Sequence, residues 1–478
     1  MASLTLDLDL HPDDAAGLAR APDVPGRTAR LRPVPLRLIW HDTPDAALAA
    51  DGLSLCECRR GRETTWRLER MRPESGGLWV PGTPAPLLAE ATGLGGLGRA
   101  IPSAIMPVAG LDGQLRAVAE GGDPLVTPLP VTPLPVTPVS VTLLSGRLRA
   151  VADEQPVCRV RIEGDAEAVG VLALALAITF RLAVPPAALA ARAYGLTRAP
   201  PPARHLGPPT LPPGLPVGAA FAFITAHLAD VMLHYAPLIA AGGATEPVHQ
   251  MRVALRRLRS AMQLFGRSVR CPAFDEAKHA LKGLAQVLGP AREWDVFATG
   301  TARAVADAFA DDPAVQRLVA RAARRQVAAY GALRDYLDGA AFRRLGLLLS
   351  LMAATQPWRH STSAAAVPAG SAPVEFKPAG AAPEEAGGQP PAWEGELRGY
   401  GERVLNKRLK VLLEPGADLA KLTVEELHGL RLEAKRLRYA TEFFAPLYPG
   451  RDTRRYLRRL TTLQERLGRL NDGAVVAV

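Results

Sequence analysis

Aromatic residues make up only 5% of this 478-residue chain, and between Glu246 and Asp275 there is no acidic residue at all. The first scarcity leaves little for stacking against bases, which single-stranded nucleic-acid binders require. The second leaves six arginines in that interval without the i,i+4 glutamates that ordinarily offset a solvated helix face. Cysteine is sparse too: Cys56, Cys58, Cys158 and Cys271 show no C-x-x-C spacing, which argues against a zinc site or a disulfide framework and for buried thiols. The N-terminus MASLTLDLDL lacks a basic region before an apolar core, so no secretory signal is expected. The longest apolar run, Ala168 to Phe180, is too short to span a bilayer. These absences point to a cytoplasmic protein that works away from membranes.

What the chain has is positive charge, with a net charge of +10 and a pI of about 9.7. Its length and 48% apolar content suit two or three packed units, and the charge points to a polyanionic partner. Nine of the ten excess charges fall in Glu246–Gly300 and Lys421–Val478.

Two breaks divide the sequence. Prolines in APPPARHLGPPTLPPGLPVG, from Ala199, exclude a helix interior or a central strand and make residues 199–217 a linker. The Ala/Pro/Gly/Ser-rich residues 360–391 read as a flexible spacer. Residues 1–198 carry β signals: LTLDLDL and LRLIWH alternate with period two, DTPDAALAADG suits a short helix, and SLCECRR, TTWRLER and CRVRIEG suit strands. VTPLPVTPLPVTPVSVT, from Val126, reads as an extended edge or loop because its prolines exclude a central strand. Residues 218–478 are helical, with three- and four-residue apolar spacing at Phe221–Ala241, Val248–Phe265, Phe274–Leu288, Ala314–Leu337 and Phe342–Met352. The fold class expected is α+β multidomain, an antiparallel β domain followed by helical bundles.

A shift of 179 residues lays VHQMRVALRRLRSAMQLF (Val248–Phe265) on LHGLRLEAKRLRYATEFF (Leu427–Phe444) without a gap. The same shift lays LKGLAQVLGPARE on LTTLQERLGRLND, with Gly289 on Gly468. An unchanged offset over that length implies two tandem copies of one helical unit, 218–359 and 392–478. In the first copy Val248, Met251, Leu255, Leu258, Met262 and Phe265 form an apolar seam. His249, Arg252, Arg256 and Arg259 follow at the same spacing, about 100° around the helix. Aligned cations repel one another unless an anion screens them. A solvated face is the competing reading, and recurrence of the stripe weighs against it. Arginine forks grip phosphate oxygens in pairs, so a row of them suits a linear phosphate chain better than bases. His249 and His428 either add charge when protonated or serve as neutral helix-start residues.

The H-x-x-R-x-x-x-[RK]-R-L-R helices, each followed by L-x-x-L-x-x-x-L-G-x-x-[RN]-[DE], resemble the CHAD domain, an all-α module of two pseudo-repeated helical units that binds inorganic polyphosphate along a basic groove. The resemblance implies phosphate contacts for His249, Arg252, Arg256, Arg257, Arg259, His428, Arg431, Lys435, Arg436 and Arg438, with Lys282 and Arg292 as further candidates. Arg292 and Glu293 equally suit a locked helix junction after a break at Gly289-Pro290. Relative to the family the second copy lacks a last helix, so Leu460, Leu463, Leu467 and Leu470 are expected to be less covered and the chain to self-associate or to fray at its C-terminus.

WHDTPDAALAADGLSLCECRRG, with TTWRLER, is similar to the CYTH domain, a β-tunnel fold with Mg²⁺-dependent triphosphate hydrolases among its members. The catalytic pattern departs from the family. Its opening Glu-x-Glu-x-Lys falls on Thr5, Asp7 and Asp9, its Arg-x-Arg on Cys56 and Cys58, a lysine on Glu69, and late acids on Arg159 and Arg161. Holding Mg²⁺ needs several carboxylate oxygens, so a degenerate CYTH-like domain is expected. The function expected is non-catalytic binding of inorganic polyphosphate, at polyphosphate granules, without cofactor, specific nucleic acid or membrane. The alternative is an inorganic triphosphatase using Mg²⁺, with the helices recruiting substrate.

Overall fold

The computed structural model describes residues 3–20, 32–71, 79–98, 101–102, 104–119, 138–151, 153–197, 206–242, 244–360, 391–414 and 422–476; the side chains at 424 and 469–476 are not included. Most of the run from Val126, the first residues of the proline-rich break, residues 361–390 of the spacer and the Leu470 side chain lie outside the described residues. By its contacts the chain divides into two compact units. One comprises Met1–Pro209, Thr225–Leu258 and Ala277–Thr355, the other Thr210–Ile224, Arg259–Glu276 and Gln356–Val478.

In the first unit an antiparallel sheet is built from β1 (Ser3–Leu10), β2 (Val34–Asp42), β3 (Leu53–Arg60), β4 (Glu63–Arg70), β5 (Leu87–Ala91), β6 (Met106–Ala119), β7 (Val139–Ala150), β8 (Glu154–Asp165) and β9 (Leu182–Ala183). Their order is β5-β4-β3-β2-β6-β7-β8-β1-β9. Alternation in β1 puts Leu6, Leu8 and Leu10, all buried, on one face and Asp7 and Asp9 on the other. The D-T-P-D stretch has a structural task. The buried Asp42 carboxylate accepts from the amides of Thr43, Leu48 and Ala49 at 2.7, 2.9 and 3.0 Å, and Thr43 Oγ1 accepts from Ala47 N–H at 2.8 Å. These bonds satisfy the amides that open a short helix.

The helices are α1 (Ala15–Leu18), α2 (Ala47–Ala50), α3 (Ala166–Thr179), α4 (Leu189–Gly195), α5 (Val217–Ala241), α6 (Glu246–Val269), α7 (Pro272–Thr299), α8 (Thr301–Ala308), α9 (Pro313–Asp338), α10 (Ala340–Thr355), α11 (Leu397–Leu413), α12 (Val424–Phe444) and α13 (Arg451–Val476). Asp165 caps α3 through the amides of Glu167 and Ala168, and Gly170 of α3 faces Leu351 of α10. α5 is long and apolar enough to cross a membrane, yet 78% of its most apolar window is buried within the protein, as in a core helix.

Three expectations are corrected. Val139–Thr142, the end of the proline-bearing run, opens β7, a central strand between β6 and β8, because the described part of the run past Pro138 has no proline to interrupt the ladder. α7 runs through Gly289-Pro290 without a break; Pro290 and Gln286 are both exposed, so water can take up the carbonyl that proline leaves unpaired. Leu460 and Leu467 are well covered, 5% and 3% exposed, in a core with Leu412, Leu430, Ala434 and Leu437.

In the second unit the rings of Phe221, Phe265, Tyr400 and Phe444 form one cluster. Centroids are 5.7 Å apart for Phe221–Phe265, 5.4 Å for Phe265–Tyr400 and 6.3 Å for Tyr400–Phe444. Close approach beside it depends on a glycine: a Cβ on Gly218 would stand 2.6 Å from Trp358 Nε1.

Candidate functional site

α6 and α12 carry the cations singled out in the sequence. His249, Arg252, Arg256 and Arg257 of α6 fall in the first unit with Lys282 and Arg292 of α7. Arg256 and Lys282 are exposed, and His249, Arg252, Arg257 and Arg292 are half-buried. Arg259, exposed on the same helix, falls in the second unit with His428, Arg431, Lys435, Arg436 and Arg438 of α12. Thr423 and Glu426 start α12 with a reciprocal capping box.

One contact recurs at the 179-residue offset. Arg252 extends over Gly289, where an added Cβ would lie 3.6 Å from its Nη1. Arg431 extends over Gly468, where an added Cβ would lie 3.9 Å from its Nη2. At both places a guanidinium lies beside a glycine, at a distance that would be ordinary van der Waals contact for an added Cβ. The Nε–H of Arg431 is buried and has no acceptor among the described residues, an arrangement that costs stability unless a ligand or water completes it.

The second stripe is not uniformly open. Glu433 takes an ion pair from Arg436 and lies 3.8 Å from Arg408, and Arg438 lies 3.2 Å from Glu442. The acid-free character of the first stripe is therefore not shared by the second. Asp295, which follows Arg292 and Glu293, is buried and accepts from Gln326 at 2.9 Å and from the Tyr330 hydroxyl at 3.0 and 2.9 Å. These bonds tie α7 to α9. Burial and the Asp295 carboxylate together hold the Tyr330 hydroxyl protonated.

The sheet encloses a cavity of about 250 Å³, lined on one side by Leu36, Leu38, Trp40, Leu115 and Leu144, on another by Asp7, Glu69, Arg67, Arg159 and Arg161. Several of its charges are paired across strands. Register places Asp7 opposite Arg161 and Asp9 opposite Arg159. Arg161 grips Asp7 at 2.7 and 2.9 Å, Arg159 grips Asp9 at 3.1 and 3.0 Å, and Arg192 adds a third bond to Asp9 at 3.1 Å. Arg67 holds Glu90 at 2.7 Å. Burial pushes the Glu69 carboxyl above its usual range, against the pull of Arg67 and Arg161. It also raises the thiols of Cys56 and Cys58, which makes them poor nucleophiles. Among the described residues no three His, Cys, Asp or Glu side chains gather as a metal site, and carboxylates already bonded to arginine do not make an oxygen set for Mg²⁺.

Sequence reasoning missed a second concavity, of about 360 Å³, in the second unit. Arg267 of α6, Arg403, Lys407 and Arg408 of α11 and Glu433 of α12 line it. The run NKRLK on α11 was the available signal.

The CHAD domain family profile matches residues 222–477, more than half of the chain, and the chain belongs to the CHAD domain family. Among solved structures it is similar to the CHAD domain of the plant Ricinus communis, with 26% identity over 57% of this chain and 80% of that one, at a TM-score of 0.44. No curated protein matches it.

Proposed function

We propose that the protein binds inorganic polyphosphate through the cationic residues of α6 and α12 and does no chemistry on it. The reading is carried by the repeated placement of Arg252 over Gly289 and Arg431 over Gly468, at one constant offset. Each of the two tandem copies of the helical unit would then present its own arginine row to phosphate. Multivalent pairing of guanidinium and ammonium groups with successive phosphates supplies the affinity. Neither a cofactor nor a nucleobase is needed, and the expected place of action is the cytoplasm, at polyphosphate granules.

The antiparallel sheet is read as a degenerate CYTH-like scaffold. Support comes from the cross-strand pairs Asp7–Arg161 and Asp9–Arg159, which commit the acids that metal binding would need.

A pull-down on immobilised long-chain polyphosphate tests the reading. The variant Arg252→Ala/Arg256→Ala/Arg431→Ala/Lys435→Ala should lose capture while keeping its helical circular dichroism. Undiminished capture would remove the assigned residues from the site. Incubation of the wild type with tripolyphosphate and Mg²⁺ should release no phosphate; steady release would restore the triphosphatase alternative.

A further inference from the structure

We infer that the concavity between the end of α6, α11 and α12 is a discrete site for a short inorganic phosphate chain, separate from the repeated motif. Its cations are Arg267, Arg403, Lys407 and Arg408, and its volume of about 360 Å³ is at the lower end of the range for small-ligand pockets, roughly 300–1,000 Å³. Glu433 partners Arg408, 3.8 Å away. Arg267, Arg403 and Lys407 are exposed at the rim with no carboxylate partner among the described residues. Arg403, Arg267 and Arg408 act on a common space: although burial outweighs them, all three draw the Tyr400 hydroxyl toward ionisation.

The repeat does not account for this cluster. Moving back by 179 residues, Arg403 falls on Ile224, Lys407 on Leu228 and Arg408 on Ala229, each of them buried. Moving forward, Arg267 falls on Pro446. Tyr400 keeps its aromatic character, falling on Phe221, and its hydroxyl donates to the carbonyl of Leu264. Three cations brought together by segments 130 or more residues apart, at positions where the other half is apolar, are a feature of the second half alone.

The geometry selects the ligand class. Arg403 and Lys407 stand one turn apart on α11, about 6 Å, with Arg267 contributed by a different helix, so the cations span more than a single phosphate. The one aromatic ring lining the pocket, Tyr400, is packed against Phe265 and Phe444, which favours an inorganic chain over a nucleotide. Phosphate as the ligand's chemistry rests on the proposed function; the pocket and its unpaired cations do not.

Isothermal titration of the full-length protein with tripolyphosphate tests the site. Arg403→Ala/Lys407→Ala, at exposed helix positions where alanine is well tolerated, should weaken tripolyphosphate binding by about tenfold or more while circular dichroism stays unchanged. Arg454→Ala/Arg458→Ala, the same loss of charge from exposed positions on α13, should leave it within about twofold. Absence of tripolyphosphate binding in the wild type, unchanged binding in the α11 variant, or equal weakening by both variants would overturn the inference. The long-chain pull-down is read separately, so the pocket and the stripes fail or stand independently.

Discussion

The rings of Phe265 and Phe444 lie 6.0 Å apart, centroid to centroid, with a tilt of 45°. These are the residues that close the two matching stretches, 179 positions apart in sequence, and they meet in one cluster that includes Phe221 and Tyr400, themselves separated by the same offset. Phe265→Ala or Phe444→Ala should each destabilise the second unit by about 3–5 kcal/mol, the usual cost of emptying a buried aromatic site. The double variant should fall short of the sum by about 1 kcal/mol. Urea unfolding of the three variants measures this; full additivity would show that the rings do not support one another.

Asp9 holds two arginines at once, Arg159 and Arg192, of which Arg159 is only 4% exposed. Asp9→Asn should cost about 3 kcal/mol or more, because both guanidiniums lose their counter-charge inside the protein. Denaturant unfolding followed by tryptophan fluorescence reads the loss, since Trp40 lines the same cavity as Arg159. A change under about 1 kcal/mol would mean that water already screens the pair.

His41 is buried 3.5 Å from Glu57, and burial depresses its pKa in spite of that carboxylate. The unfolded chain therefore binds a proton at higher pH than the native one does. Stability from this group is present above the unfolded value, about 6.5, and is lost as pH falls through and below it. Thermal unfolding should show a midpoint that falls between about pH 7 and pH 5.5, and His41→Gln should reduce that fall. Identical slopes for the two proteins would exclude His41 as a source.

Binding through many cations releases counterions, so log K for long-chain polyphosphate should fall linearly with log salt. Removing four cations in the Arg252/Arg256/Arg431/Lys435 variant should lower the slope by about three, at roughly 0.7–0.9 per phosphate neutralised. Fluorescence anisotropy across a salt series provides the slopes. A variant with weaker binding but an unchanged slope would place the lost contacts outside the phosphate chain.

Elements with strong local patterns were legible in the sequence. LTLDLDL, LRLIWH, SLCECRR, TTWRLER and CRVRIEG all fall in strands, and the five periodic stretches after Phe221 all fall in helices. β6 and β7, the longest strands on one side of the cavity, were not anticipated. Their burial alternates irregularly, and glycines Gly113 and Gly146, which face each other across the ladder, dilute the apolar signal. The cation pattern of α6 and α12 was readable because it is periodic on one helix. The pocket of Arg267, Arg403 and Lys407 was not, since its members come from segments 130 or more residues apart and only folding assembles them. The pairs Glu433–Arg436 and Arg438–Glu442, at i,i+3 and i,i+4, were within reach of the spacing rule as well.

β1 has its neighbours in the sheet from strands that begin at Glu154 and Leu182. During synthesis this opening segment emerges well before either partner exists, so its alternating leucines and aspartates must wait, unpaired, for some hundred and fifty residues to follow. Contacts of such wide separation are slow to form. The joining of β1 to the sheet is thus a late event, timed by the arrival of Arg159 and Arg161, and a ribosome stalled ahead of them would hold a nascent chain with β1 unpaired.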